Sequence, residues 1–342
     1  MIKKLLVLAL ALPLVPVPTK AQEHPPEPII DMHLHASLVD FAGPPPLALC
    51  VPLMPHMPPL DPRESWADVF MRTLKNPPCS DPIWSPTTNE ALIDETVAVL
   101  ERRNVIGVLS GPVELVRKWV PSAPDRFILA ADPDETGTPN PTSSPESLRP
   151  LFESGEFGVL AEVSYQYAGL SPDDEILEPY WALAEELDIP VGIHMGEGPP
   201  GAIGLFPKYR ARLTSPYLLE EVLVRHPRLR VYVMHYGSPL IDEMIGMLAT
   251  YPALYVDIGG VPLHYPRPYF YQQLKQFIDA GFGKRVMFGS DSMVWPGVIE
   301  PAIEIIEEAP FLTEEQKRDI FYNNAARFLR LSEEEIARHH GK

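Results

Sequence analysis

The residues best suited to chemistry in this chain are His33 and His35, in Asp31-Met-His-Leu-His, directly after the apolar pair Ile29-Ile30. Alternate side chains of a β-strand share a face, so the two imidazoles point the same way, ~6–7 Å apart at Cα, and can grip one metal ion. A lone His-x-His is common by chance. Here three later apolar segments lead to His194 (Pro190-Val-Gly-Ile-His), His235 (Val231-Tyr-Val-Met-His) and Asp291 (after Val286-Met-Phe-Gly-Ser), and a fourth carries Glu162 near its end (Gly158-Val-Leu-Ala-Glu-Val). Imidazole with carboxylate suits zinc, iron or manganese. Water held by zinc ionises near neutral pH and becomes a nucleophile. The chemistry on offer is metal-assisted attack on a carbonyl-type carbon.

Residues this far apart in sequence need a fold that gathers them. Apolar runs fall at 29–34, 105–109, 127–131, 159–163, 190–193, 229–234, 253–258 and 286–289. Segments of helical period lie between them: Leu92, Thr96, Val99 and Leu100 share a face, as do Ile176, Tyr180, Leu183, Ala184 and Leu187, and Val298, Ala302, Ile305 and Ile306. Eight strand–helix units predict a (β/α)8 TIM barrel, with a Pro-rich insertion after strand 1 and extra C-terminal helices at 313–322 and 332–339. An open, doubly wound sheet would want a glycine-rich first turn, and none follows the first strand. In a barrel the candidate ligands all fall at or near the carboxyl ends of strands, where this fold keeps its chemistry.

The insertion, 36–88, holds 12 of the 42 prolines and cannot be regular helix or central strand throughout. Its apolar residues, among them Phe41, Leu53, Met54, Met57, Trp66, Phe70 and Trp84, predict a packed lid rather than a disordered linker. Cys50 and Cys79, the only cysteines, both lie in it, and their spacing alone leaves a disulfide open.

Residues 1–21 read as a secretory signal: Lys3 and Lys4, an apolar run from Leu5 to Leu14, then Thr19-Lys20-Ala21 as a cleavage site. Export to the periplasm or the exterior is therefore expected, with 22–342 as a single barrel domain. No later stretch is long and uncharged enough to span a membrane. The whole chain carries −18; without the signal it has 25 basic residues against 46 acidic ones, about −21. That balance argues against nucleic acid, whose phosphates need a basic face, and leaves a small molecule as the expected partner. A homodimer is the default assembly.

The chain resembles the amidohydrolase superfamily, in the branch that holds both small-molecule hydrolases and aromatic or enoic acid decarboxylases. The matching stretches are Ile29-Ile-Asp-Met-His-Leu-His, Gly192-Ile-His-Met-Gly, Arg225-His-Pro-Arg-Leu-Arg-Val-Tyr-Val-Met-His-Tyr-Gly, Tyr255-Val-Asp-Ile-Gly, Arg285-Val-Met-Phe-Gly-Ser-Asp and Asn323-Asn-Ala-Ala-Arg-Phe-Leu. The resemblance implies a divalent metal, zinc first, held by His33, His35, His194 and Asp291. It also implies that Asp291 carries a proton between water and substrate, and that His235 binds a second metal or polarises the substrate. Many members bridge two ions with a carboxylated lysine on strand four; no lysine lies in 156–167, and Glu162 is the carboxylate placed to bridge instead. His264 and Glu197, after the seventh and fifth strands, are candidate substrate contacts on the rim, and Asp257 is either a structural acceptor or a ligand.

Three functions compete. An exported metal-dependent hydrolase of an ester, lactone or amide leads. A non-oxidative decarboxylase would need a cation to seat the substrate carboxylate, with Arg63, Arg72 and Arg267 as rim candidates. A non-catalytic periplasmic binding protein would show a broken ligand set, and this set is intact.

Overall fold

The computed structural model describes residues 26–133 and 143–341; the signal expected at 1–21 lies outside them. Eight strands, β1 (Ile29–His35), β2 (Val105–Ser110), β3 (Phe127–Ala131), β4 (Val159–Val163), β5 (Val191–His194), β6 (Val231–Met234), β7 (Tyr255–Asp257) and β8 (Val286–Met287), follow one another around a nearly closed barrel. Each pairs in parallel with the next. Main-chain bonds from Met32 N to Phe288 O (2.9 Å) and from Asp291 N to His33 O (2.7 Å) draw β1 against the end of β8. The strands sit where the apolar runs are because a parallel sheet wrapped by helices is buried on both faces.

Two apolar layers share the strands. Ile29 and Leu34 face outward to the helices, where Leu92, Leu100, Leu183, Ala302 and Ile306 meet them in one continuous core. Ile30 and Met32 point inward, with Val108, Ala130, Val159, Ala161, Tyr232, Met234 and Met287. Strict alternation after Met32 would turn His33 outward. The register of β1 against β2 shifts between Asp31 and Leu34, and this bulge resets the phase so that Met32 and His33 both face the interior. A second shift, in β4 against β5 between Leu160 and Val163, does the same for Ala161 and Glu162. Both irregularities lie where apolar filling gives way to polar residues.

The C-terminal segment starts at the expected capping positions. Thr313 with Gln316 and Ser332 with Glu335 form capping boxes that open the helices Glu314–Arg318 and Glu333–His339. The first continues through a wide turn, Asp319–Asn323, into a further helix, Asn324–Leu329. Tyr322, Ala325, Ala326 and Phe328 join the interior cluster and plug the amino end of the barrel, so this segment does more than pack on the outside. Asn324 Nδ2 secures the plug on Val286 O (2.7 Å) and Gly283 O (2.9 Å).

The Pro-rich insertion is packed, as its composition requires. It holds a small antiparallel ladder (Ala48–Leu49 with Ile83–Trp84), the helix Trp66–Lys75 and a Cys50–Cys79 disulfide. It docks on the carboxyl end of the barrel through Leu53 N to Leu263 O (2.9 Å), Trp66 Nε1 to Pro200 O (2.7 Å) and Trp295 Nε1 to Leu47 O (3.0 Å). A bridge spanning 29 residues limits the unfolded chain, and the Cys50→Ser/Cys79→Ser double variant should lose about 2–4 kcal/mol, read as a lower urea midpoint. Among the described residues no helix is long and apolar enough to cross a membrane.

Candidate metal centre

The barrel brings His33, His35, Glu162, His194, His235 and Asp291 into one cup at the carboxyl ends of the strands. His33 Nε2 lies 3.6 Å from Glu162 Oε1 and 3.4 Å from Asp291 Oδ1; His35 Nε2 lies 3.5 Å from Glu162 Oε2 and 3.3 Å from Asp291 Oδ1. His235 Nε2 is 3.4 Å from Glu162 Oε1. His194 stands at the edge, its ring 4.5 Å from that of His235 and its Nε2 3.9 Å from Glu162.

Three of the four rings are aimed by a partner on the far side. His33 Nδ1 lies 3.4 and 3.2 Å from the two oxygens of Asp257, which also accepts from His235 N (3.1 Å) and Gly259 N (2.8 Å). Asp257 therefore orients a ligand rather than facing the cup. His35 Nδ1 meets Ser110 Oγ at 3.2 Å, and His235 Nδ1 donates to Gly259 O at 2.8 Å. Asp31, pushed up to about 6 by burial despite bonds from Ser290 and His33, ties β1 to the end of β8. Space is as tight as the bonding. A Cβ on Gly259 would stand 2.4 Å from His33 Nδ1, and one on Gly196 would stand 2.9 Å from the His235 ring.

Three of the six non-glycine residues with positive φ among the described residues lie here: His235 (58°), Tyr236 (40°) and Asp291 (57°). Left-handed backbone costs a non-glycine residue energy, and such positions concentrate where a side chain must be aimed.

His33 Nε2, His35 Nε2, His235 Nε2 and Glu162 Oε1 are buried with no hydrogen-bond partner. Four such atoms facing one another would be costly in an ordinary core. They form two overlapping donor sets, His33–Glu162–His235 and His33–His35–Asp291, each with its atoms within 4.8 Å of one another. Ligands ~2.1 Å from a tetrahedral ion stand ~3.4 Å apart, and the nitrogen–oxygen spacings above cluster at that value. The residues present fit a divalent cation.

The electrostatics agree. Burial lowers the His33 imidazolium, but Asp257, Asp291 and Glu162 outweigh it and hold its pKa well above the ordinary value. Burial raises both carboxylates, yet His194 and His33 pull Glu162 well below its usual range, and His33 with His35 and His235 brings Asp291 to about 2. His194, desolvated and beside His235, falls to about 3 and stays neutral. The cup concentrates anionic oxygen and asks for positive charge.

Of the rim candidates, half-buried Glu197 accepts from Ser238 Oγ (3.2 Å) and from the Tyr265 hydroxyl. His264 sits within the electrostatic reach of Asp291, His235 and Glu197, and burial lowers its pKa. Tyr167 escapes a reading of the sequence: its hydroxyl is 3.0 Å from His194 Nε2. Its only sequence signal is an aromatic pair in Ser164-Tyr-Gln-Tyr, just after a strand end. Asp257→Asn should cost about 10–100-fold in metal affinity by loosening His33, measured as the free-metal concentration that half-saturates the protein. Unchanged affinity would remove Asp257 from the centre.

A family model described as amidohydrolase matches residues 30–331. No curated protein matches the chain. Solved structures do. One is 5-carboxyvanillate decarboxylase from Sphingomonas paucimobilis, at 17% identity and TM-score 0.54 over 89% of this chain and 99% of that one. Another is a probable 2-pyrone-4,6-dicarboxylic acid hydrolase from Acinetobacter baumannii with citric acid bound, at 16% and 0.54 over 89% and 99%. A third is a dihydroxybenzoic acid decarboxylase from Polaromonas sp. JS666 with manganese and 2-nitroresorcinol bound, at 15% and 0.54 over 90% and 99%. At such identities the likeness is one of fold. The family match spans the whole barrel, from the second residue of β1 to just past the plug, and the chain belongs to the amidohydrolase family of metal-dependent enzymes.

Proposed function

We propose that the chain is a metal-dependent hydrolase that directs water at the carbonyl carbon of a small ester, lactone or amide. The observation that carries this reading is the set of partnerless imidazole and carboxylate atoms gathered around His33, beside an Asp291 that stays ionised at neutral pH. His33, His35, His235, Glu162 and Asp291 would hold the ion, with His194 completing the set. A divalent ion bound there polarises a carbonyl and lowers the pKa of water. Asp291, unprotonated and in the cup, accepts the proton of the attacking water and returns it to the leaving group. His235, its Nδ1–H fixed on Gly259 O, is thereby the tautomer whose Nε2 lone pair can reach the ion. Both donor sets draw on the single lone pair of His33 Nε2, which supports one ion rather than two. Zinc suits the histidine-rich set; manganese, present in a structural neighbour, is the second choice.

The three rim arginines that the sequence offered to a decarboxylase are engaged elsewhere. Arg63 pairs with Asp61, Arg72 with Glu64 and Arg267 with Glu308, all at exposed positions. Export is part of the proposal, supported by the leader-like 1–21 and by a disulfide that oxidising compartments maintain. The test is turnover of ester, lactone and amide panels in ¹⁸O-labelled water. Chelator-sensitive turnover with label in the product acid is expected; carbon dioxide released without label from a carboxylic acid panel would overturn it in favour of a lyase.

A further inference from the structure

Beside the metal centre is an open cavity of about 760 Å³, the size of pocket that takes a drug-sized organic body. Its walls grow from the same loops that carry the cup. Glu197 and Pro199 follow His194, Leu240 follows His235, and Tyr265 follows His264; Met54 closes it from the insertion. Gly196, the link between His194 and Glu197, lies against the His235 ring. The loops that carry the cup thus run on into the cavity walls, which include none of the cup ligands themselves.

The lining is mostly carbon. Met54, Pro199, Ile203, Pro207 and Leu240 supply it, and Ile203 stands 54% exposed, an apolar side chain left uncovered in a concavity. Arg212 contributes an exposed guanidinium, and the other polar groups there are largely turned to other duties. Glu197 is held by Ser238 and Tyr265, and Arg210 donates back to Pro207 O (3.0 Å) and Tyr209 O (2.6 Å). A surface of this kind gains most from a ligand that removes apolar area from water.

We infer that this cavity binds the non-reacting part of the substrate, and that this part is an apolar acyl or aryl group several carbons long. The inference rests on the hydrolase reading, whose substrates it narrows to esters, lactones or amides with an extended hydrocarbon body. The carbonyl sits in the cup, and the body lies between the β5 loop and Met54 of the disulfide-stapled insertion.

The test is a series of p-nitrophenyl acetate, butyrate, hexanoate and octanoate with the full, metal-loaded chain. The kcat/KM should rise roughly two- to fourfold per methylene as carbon enters the cavity. In Ile203→Asp and Met54→Asp the rise with chain length should be lost. Both sites are at least partly exposed, and circular dichroism checks that the variants fold. A flat series in the parent, or an unchanged slope in both variants, overturns the inference. Should no ester be turned over, the hydrolase reading fails separately, and the cavity is judged by binding of 1-octanol. The indole of Trp66 lies against Gly201 of the cavity wall and against Gly204 behind it, and reports occupancy by its emission. A saturable change that Ile203→Asp abolishes supports the apolar subsite; no saturable change overturns it.

Discussion

Asp291→Asn should lower kcat by ~10³-fold or more while the purified protein keeps most of its metal. General acid–base groups contribute roughly 10²–10⁴-fold, and Asp291 is a cup carboxylate that stays ionised, its pKa brought to about 2 against the pull of burial. An amide cannot accept the proton of the attacking water. The substitution should leave the fold intact, because residue 291 has φ of 57° and asparagine tolerates left-handed backbone about as well as aspartate does. The bond from Asp291 N to His33 O comes from the main chain and survives as well. Elemental analysis beside steady-state kinetics separates the two effects. Turnover near the parental rate would exclude Asp291 as the proton carrier; loss of the metal together with activity would make it chiefly a ligand.

His33→Ala should be the most damaging single change to the centre, removing the metal and about 3–5 kcal/mol of stability. His33 is wholly buried between Asp257 on one side and Glu162 and Asp291 on the other, and it belongs to both donor sets. Without it Asp257, which is also wholly buried, faces no imidazole. The two cup carboxylates lose the cation that holds them ionised. Metal per chain should fall to near zero, and the urea midpoint should drop even when both proteins are compared in chelator. That second condition separates loss of the ion from loss of the charge pairing. A variant that retains metal, or that matches the parent in chelator, would show that His33 is not the hub of the centre.

Much of this was legible in the sequence for a physical reason: barrel strands are buried on both faces, so each appears as a short apolar run. The residues that end them, His194, His235 and Asp291, are polar interruptions at fixed places in that pattern. The shared face of His33 and His35 followed from the two-residue period. The bulges in β1 and β4 did not, because a register shift depends on the neighbouring strand. Alternation counted from Ile30 would have put His33 outside the barrel. The partner that aims His33, Asp257, lies 224 residues away, and its role rested on how barrel closure brings the end of β7 within reach of β1 across β8. Tyr167 sits in a loop whose course has no periodicity to read. The insertion announced that it would pack, through its aromatics and cysteines, but its docking onto Pro200 and Leu263 depends on surfaces that exist only once the barrel has formed. Its arginines could be named as candidate cations, yet only coordinates show Arg63 and Arg72 paired within the insertion itself.

The interior plug has a consequence for the order in which the molecule can assemble. β1 leaves the ribosome long before the strand that closes against it, which ends at Met287, and before Tyr322 and Phe328, the aromatic filling of the barrel floor. Until those later residues are available, β1 has an open edge and the inner apolar layer has no floor, so a nascent chain lacks the long-range contacts that make the barrel cooperative. Closure of the barrel therefore waits until the segment through Phe328 has been made, whereas the Cys50–Cys79 bond joins residues available far earlier.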